Sequence, residues 1–457
     1  MIQSAAMSDK SVIIIGAGMA GLSAAYDLQR AGWQVTVLEA RGRVGGRVYS
    51  VREFSNGLVA EGGAEYIDEQ HSRMIALANE FNLSLGKVGS WQGQSGDWSA
   101  YGNKAGRLTD ENLWGVNLEA EYGKMWEALA ELGKQVTDPS NPVNGANAYE
   151  LDAKNSLEWI NAQKAHPLAR SMFISHIRSE FTCEPENFSL LDLARNAALY
   201  YSNASSWPSA YRIVGGNDLL PQAIANQLAD LRLNAVVTSV NIQSEEVTVT
   251  YKHVDSFHTL RASYAILAIP LTVARTIDFN SSLPVPHQKL VDEISYGTVT
   301  KVMIEYRKRF WLEKGWNGRL YTDLPVVLTW DATSHLAGKH GILTAYTGGK
   351  PAEELTKLSN DERTKVAVSV IEKLFPSSSE LIERTFTIAW VNEPFTRCSY
   401  MAYAPNEVTT HWQTLFTPAG RLHFAGEHAT VIQGFMEGAV ESGQRVAKNI
   451  IMSLRGG

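Results

Sequence analysis

SVIIIGAGMAGLSAAYDLQRAGWQVTVLEARGRVGGRV, residues 11–48, is the stretch that decides the fold. Val12, Ile13, Ile14 and Ile15 form an apolar, β-branched run of the kind found in strands buried on both faces of a parallel sheet. Gly16, Gly18 and Gly21 follow in the pattern G-x-G-x-x-G and run into the helical segment SAAYDLQRAG. Small residues let a backbone approach a pyrophosphate, and the free N–H groups of the helix start stabilise its charge. A second buried strand, QVTVLEA, ends on Glu39, where a carboxylate can accept hydrogen bonds from ribose hydroxyls. A lone glycine pattern is only a tight turn. Strand, helix, strand and terminal acid in register predict a dinucleotide site.

The chain around this unit has 457 residues, more than one compact core accommodates, so two or three domains are expected. It is 44% apolar and 19% charged, as ordinary globular proteins are. A net charge of −7 without blocks of like charge argues against a nucleic-acid surface. Only Cys183 and Cys398 are present, which excludes a disulfide framework or thiolate metal site and fits a reducing compartment. The first ten residues lack the apolar core of a secretory signal. No apolar run reaches the ~20 residues of a membrane-spanning helix, and KNIIMSLRGG is too short and polar for a tail anchor. A soluble, cytoplasmic protein is expected, with no metal, nucleic acid or membrane among its partners.

Just after Glu39, EARGRVGGRV places Arg41, Arg43, Gly45, Gly46 and Arg47 where a second glycine turn would pass near the phosphates and a flavin ring. This extended fingerprint resembles the FAD-binding flavin amine oxidase family, which includes monoamine oxidases, polyamine oxidases and L-amino acid oxidases. The resemblance covers nearly the full length. It implies an α/β fold in which a Rossmann-like FAD-binding domain is interleaved with a mixed α+β substrate-binding domain, as in monoamine oxidases. The alternation along the chain divides it into 9–88, 210–292 and 389–455 for the FAD-binding domain, and 89–209 and 293–388 for the substrate-binding domain.

Between these landmarks, WQGQSGDWSAYGNKAGRL (91–108) marks a departure from the first α/β unit. Helices are predicted over 117–136 and 155–178, then a glycine turn and helix in RIVGGNDLLPQAIANQLA. AVVTSVNIQSEEVTVTY and ASYAILAIPL read as strands, and Val237 in the first offers backbone groups to adenine. TKVMIEY and LTAYTG are further strands, and DERTKVAVSVIEKLF is a helix.

A second strong motif closes the chain. In GRLHFAGEHATVIQGFMEGAVESGQRVAKNI (420–450), a strand ends at Gly426-Glu427, and a helix begins near Phe435-Met436 with Gly438, Ala439, Ser442 and Gly443 on one face. Its N-terminus would stabilise the negative charge that a flavin gathers on reduction. The segment is similar to the family's terminal flavin motif and favours FAD over NAD.

Three further features follow from the resemblance. Lys301 lies in a run that alternates toward a core, where a lysine is costly unless hydrated or paired. In these oxidases such a lysine holds a water against flavin N5. AWVNEPFTRCSYMAYAP (389–405), which begins with Trp390 as its second residue, resembles the segment lining the flavin's reactive face. Covalent flavin in monoamine oxidases uses a cysteine directly before a cage tyrosine, but here Ser399 precedes Tyr400 and Cys398 lies one earlier. Non-covalent FAD is therefore expected. Tyr400 and Phe435 occupy the two positions of the aromatic cage, which would desolvate the amine and direct its C–H.

VAEGGAEYIDEQHSRM (59–74), with Gly62 in its turn, resembles the segment that brings pocket residues beside the flavin. Amino acid oxidases of the snake-venom type have an arginine where this chain has Tyr66, and polyamine oxidases have a carboxylate where it has Asp68. Glu65 lies close in sequence, and Glu180 and Glu184 form a further acidic pair. Acidic groups and no pocket arginine favour a cationic amine, although Arg212 or Arg397 could still receive a carboxylate. The expected reaction is FAD-dependent oxidation of a small-molecule amine to an imine by hydride transfer to N5. O2 is the acceptor, giving H2O2, and the imine is hydrolysed to an aldehyde or ketone plus ammonia or an amine. The alternatives are an L-amino acid oxidase giving a 2-oxo acid, a desaturase or dehydrogenase, and a non-redox binding protein of GDP-dissociation-inhibitor-like fold. A homodimer is the candidate assembly.

Overall fold

The computed structural model describes residues 10–90, 98–201 and 209–453, so residues 91–97 of the Trp- and Gly-rich stretch lie outside the described residues. The opening stretch folds as its pattern dictates. The wholly buried strand Ser11–Ile15 and the strand Gln34–Leu38 are joined by the helix Met19–Arg30. They pair in parallel with Ile15 opposite Leu38, and Ile15 also lies opposite Leu267 of the strand Tyr264–Leu267. Leu231–Arg232 and Leu422–Phe424 extend the sheet on its two edges, giving five strands, all parallel.

The C-terminal helix Met436–Ser453 lies against the helix Met19–Arg30, and the small face expected from the sequence is the reason they fit. A Cβ at Gly443 would stand 2.2 Å from the Ala20 carbonyl oxygen; Gly438 serves the preceding loop instead, since a Cβ there would stand 2.0 Å from the carbonyl of Ile432. Val12, Ile14, Leu22, Leu28, Val440, Val446 and Ile450 share the resulting core.

A second sheet of seven strands runs in the order Ile382–Ala389, Val299–Tyr306, Gly341–Gly348, Leu328–Asp331, Leu320–Thr322, Trp98–Tyr101 and Lys104–Gly106. Val299–Tyr306 is buried at all eight positions and antiparallel to both neighbours, so a side chain on it meets protein or a cavity, never bulk water. Helices cover the region between the sheets. Leu118–Gly133 matches the expected helix and is capped by Asn117. The helix expected over 155–178 is two, Ser156–Ala162 and Pro167–Glu180. Proline lacks an N–H and disfavours helical geometry in the residue before it, so Pro167 starts a new helix and cannot continue the old one. The strand Ser256–Ala262 escaped the sequence reading because its polar, exposed face pairs on a hairpin edge and buries little.

Candidate active site

One cavity of about 1400 Å³ runs from the carboxyl ends of the parallel strands to the second sheet and the helices beside it. Small-ligand pockets span roughly 300–1,000 Å³, so this one has room for a dinucleotide and a substrate together.

Its first end is built by the glycine turn, where the three glycines do different work. Gly16 adopts φ +105°, and a Cβ there would press on Ala268 and Ile269. A Cβ at Gly21 would lie 2.0 Å from the Gly16 carbonyl, so Gly21 lets helix and strand close and stands behind the cavity wall. A Cβ at Gly18 would meet no atom within 4 Å and would stand in the cavity itself. That free space above a helix start is the cradle a pyrophosphate needs. The second glycine turn stacks on the first: Gly46 has φ +58°, and its Cβ would come within 3.4 Å of Gly18 Cα. Glu39 is buried on the wall and accepts hydrogen bonds from the N–H of Ala17 and of Arg41, at 2.8 and 2.9 Å. Val237 lines the same end, beside an irregularity in its strand register. Arg41 also faces the cavity, with its guanidinium tied to Phe395 O and Thr396 Oγ1. Arg43 turns away and stacks over Tyr49.

The middle of the cavity joins the two motifs. Arg47 donates to Glu427 Oε1 at 2.8 Å and to the main-chain oxygen of Ser399 at 2.6 Å. Glu427 also accepts from the N–H of Gly434, which holds the loop before the C-terminal helix. Gly426, Glu427, Phe435 and Met436 all face the cavity. Gly62 does not: it is buried behind the wall, its carbonyl accepting from Trp390 Nε1, and the half-buried Gly63 takes the facing place. Cys398 is 1% exposed and absent from the wall; burial pushes its thiol up to about 11. Ser399 is on the wall, bonded through its hydroxyl to Thr182.

Lys301 projects from its buried strand and donates to the carbonyls of Glu61 and Gly63, at 3.1 and 2.8 Å, and to Glu65 Oε2 at 3.0 Å. Trp330 and Tyr346 flank its ammonium at 5.2 and 5.8 Å from their ring centres. Glu65 is fully engaged: besides Lys301 it accepts from Arg212 and, at 2.6 Å, from Trp330 Nε1. Expected as a substrate contact, its carboxylate lies between two buried cations, where it neutralises protein charge. Arg212, in turn, is taken by Glu65, Ala332 O and the Tyr66 hydroxyl and ring, so it is not the open carboxylate receiver that the sequence allowed.

Tyr400, Phe435, Tyr66, Asp68 and Trp390 all line the remaining end. The Tyr400 hydroxyl donates to the main-chain oxygen of Glu180 at 2.7 Å, and Phe435 packs on His71 and Tyr200. Burial, with Glu69 near, pushes the Asp68 carboxyl up to about 6. Of the acidic pair, Glu180 faces the cavity and Glu184 does not. Glu184 is buried in a bidentate pair with Arg178 and accepts from the N–H of Lys350. Arg319 was missed by the sequence reading, which expected no pocket arginine. It lines the cavity beside Tyr321, to whose hydroxyl it donates. Its signal was the alternation in GRLYT, in which Leu320 and Thr322 are buried while Arg319 and Tyr321 face the open space.

A sequence model for flavin containing amine oxidoreductases matches residues 19–451. The chain belongs to this family. It is 27% identical to a flavin-containing amine oxidase of Danio rerio and 28% identical to the flavin-containing amine oxidase A of Bos taurus. Those alignments cover 97% of this chain and 86% and 85% of the two relatives. Among solved structures it resembles cyclohexylamine oxidase from Brevibacterium oxydans IH-35A, with a TM-score of 0.86, 25% identity, and coverage of 98% of this chain and 100% of that one. It also resembles putrescine oxidase bound to putrescine, with a TM-score of 0.85, 25% identity, and coverage of 97% and 99%. The α/β architecture is therefore that of monoamine oxidase-like proteins, and the protein is a flavin-dependent amine oxidoreductase. The reading as a non-redox binding protein falls away with that membership.

Proposed function

We propose that the protein binds FAD without a covalent link and oxidises a small amine lacking an α-carboxylate. The observation that carries this reading is the single cavity joining an open pyrophosphate cradle at Gly18 to Tyr400, Phe435 and two acidic side chains, Asp68 and Glu180. Bound flavin supplies the acceptor, taking hydride from the substrate α-carbon at its N5. Gly16, Gly18, Gly46, Arg41, Arg47, Glu39 and Val237 would hold the nucleotide, and Met436 at the helix start would face the ring. Ser399, where a linking cysteine would have to stand, supports non-covalent binding. Tyr400 and Phe435 strip water from the amine and align its C–H. Lys301, anchored on three protein acceptors, is fixed at the wall, where it would orient a water toward N5.

The imine would hydrolyse to an aldehyde or ketone plus ammonia or an amine, and O2 would accept the two electrons with two protons, giving H2O2. We further propose the division of the chain into 9–88, 210–292 and 389–455 for the FAD-binding domain and 89–209 and 293–388 for the substrate-binding domain; that the five parallel strands all lie in the first three segments supports it. Two free cysteines fit a cytoplasmic location; among the described residues, no helix is long and apolar enough to cross a membrane. Arg319 favours the second reading, oxidation of an amino acid, because a guanidinium can pair with a carboxylate. We keep the first because Arg319 is drawn to Tyr321 and acts on Glu180, leaving the acidic side chains to dominate the pocket. The test is H2O2 release over a panel of monoamines, diamines and amino acids. An amine should lead it, and release by amino acids alone would transfer the assignment.

A further inference from the structure

Amines reach an enzyme as ammonium ions. With an ordinary amine titrating near pH 10, only about one molecule in a thousand is neutral at pH 7. Hydride leaves an α-carbon only when the nitrogen lone pair is free to form the C=N bond, so a proton has to go somewhere. Lys301 is spent on three protein acceptors, and Glu65 on Arg212, Lys301 and Trp330. Glu180 is different. It is the last residue of the helix Pro167–Glu180, its carboxylate lines the cavity, and that carboxylate makes no hydrogen bond or ion pair among the described residues. Its main-chain oxygen receives the Tyr400 hydroxyl, so the residue that carries the carboxylate is tied to the aromatic wall where the amine is to be aligned.

Resting on the amine-oxidase reading above, we propose that Glu180 is the base that takes the proton from the bound substrate ammonium. One N–H bond of the ammonium breaks, its electron pair remains on nitrogen as the lone pair, and the proton forms an O–H bond on Glu180 Oε. The products are a neutral amine and a neutral carboxyl, and no oxidant is consumed. Both charges vanish together, which is the outcome that a desolvating aromatic cavity favours.

The surroundings poise the group for this. Asp68 faces it from the strand Ile67–Asp68, Arg319 from the edge of Leu320–Thr322, Tyr200 and Tyr201 from the next helix, and Tyr346 and Tyr400 from the second sheet and its loop. On its own helix, His176 is held neutral by burial. Burial and Asp68 push the Glu180 carboxyl up to about 7, against the pull of Arg319, and the carbonyl end of its helix adds to the push. A carboxylate poised near neutrality is an efficient acceptor, and at about pH 8 it is still mostly charged when substrate arrives.

The test is calorimetric binding of 2-phenylpropan-2-amine to the FAD-loaded enzyme in two buffers of different ionisation enthalpy. This amine has no α-hydrogen, so it binds without being oxidised. At about pH 8, one unit above the Glu180 titration, wild type should release almost no proton to the buffer. Glu180→Gln should release about one proton per amine bound, and Glu180→Asp should return toward wild type. Equal proton counts in wild type and Glu180→Gln would overturn the role of Glu180 while leaving the amine reading intact. If neither this amine nor a simple monoamine perturbs the flavin spectrum, the amine reading fails, and this proposal with it. Because the Glu180 side chain holds no hydrogen bond among the described residues, FAD content and melting temperature of both variants should match wild type.

Discussion

Lys301 and Glu65 meet at 3.0 Å, and the same carboxylate is held by Arg212 on its other oxygen. Two buried cations share one buried anion, so each partner neutralises charge that the fold could not otherwise keep from water. The lysine ends at the cavity wall with its position set by three acceptors.

Removing the anion should therefore cost more than removing the lysine. Glu65→Gln leaves two cations without a counter-charge, and breaking a buried pair costs roughly 3–5 kcal/mol. Lys301→Met leaves the Arg212–Glu65 pair intact and should destabilise less. Denaturant titrations should rank the midpoints as wild type, then Lys301→Met, then Glu65→Gln. Lys301→Met should also retain FAD while slowing flavin reduction or reoxidation in stopped flow; wild-type rates in both would remove Lys301 from the mechanism.

The glycines of the first turn predict separable defects. Gly18→Val places its side chain in open cavity, so the fold should persist while FAD occupancy falls. Gly21→Val drives a Cβ to 2.0 Å from the Gly16 carbonyl, so the protein should lose melting temperature even when FAD is added in excess. Flavin content and thermal melts of the two variants distinguish these outcomes. Equal occupancy in Gly18→Val and wild type would contradict the cradle.

Acid precipitation should leave FAD in the supernatant, because Ser399 and not Cys398 faces the cavity. Cys398→Ala should behave identically. Flavin that remains attached to a Cys398 peptide would refute the non-covalent reading.

Asp68 predicts a pH-dependent preference. Its carboxyl titrates near 6, so a second cation on the substrate should gain from it above that pH and lose the advantage as the carboxyl protonates below it. Asp68→Asn should raise KM for diamines, leave monoamines nearly unchanged, and flatten the diamine profile across this range. An unaltered diamine KM would place the distal cation elsewhere.

Local chemistry was legible in the sequence wherever one segment supplied it. The glycine turn, the strand ending at Glu39, the small face of the last helix and the offset of Cys398 all depend on neighbours within a few residues. What escaped depends on contacts between distant segments. Glu65 was expected to meet substrate because its partners, Arg212 and Trp330, are 147 and 265 residues away. Glu180 and Glu184 look alike in SEFTCEPEN, yet one opens on the cavity and the other closes on Arg178. Arg319 immediately precedes a three-residue strand, Leu320–Thr322, too short for its alternation to stand out.

The most direct test of the account is anaerobic mixing of the FAD-loaded protein with an amine and, separately, with the amino acid that carries the same side chain plus an α-carboxylate. An unpaired carboxylate in this aromatic, acidic pocket would cost several kcal/mol, and each 1.4 kcal/mol is about tenfold. The amine should bleach the visible flavin absorbance at a second-order rate at least about a hundredfold above that of the amino acid. Faster bleaching by the amino acid would contradict the account and assign Arg319 as its carboxylate partner.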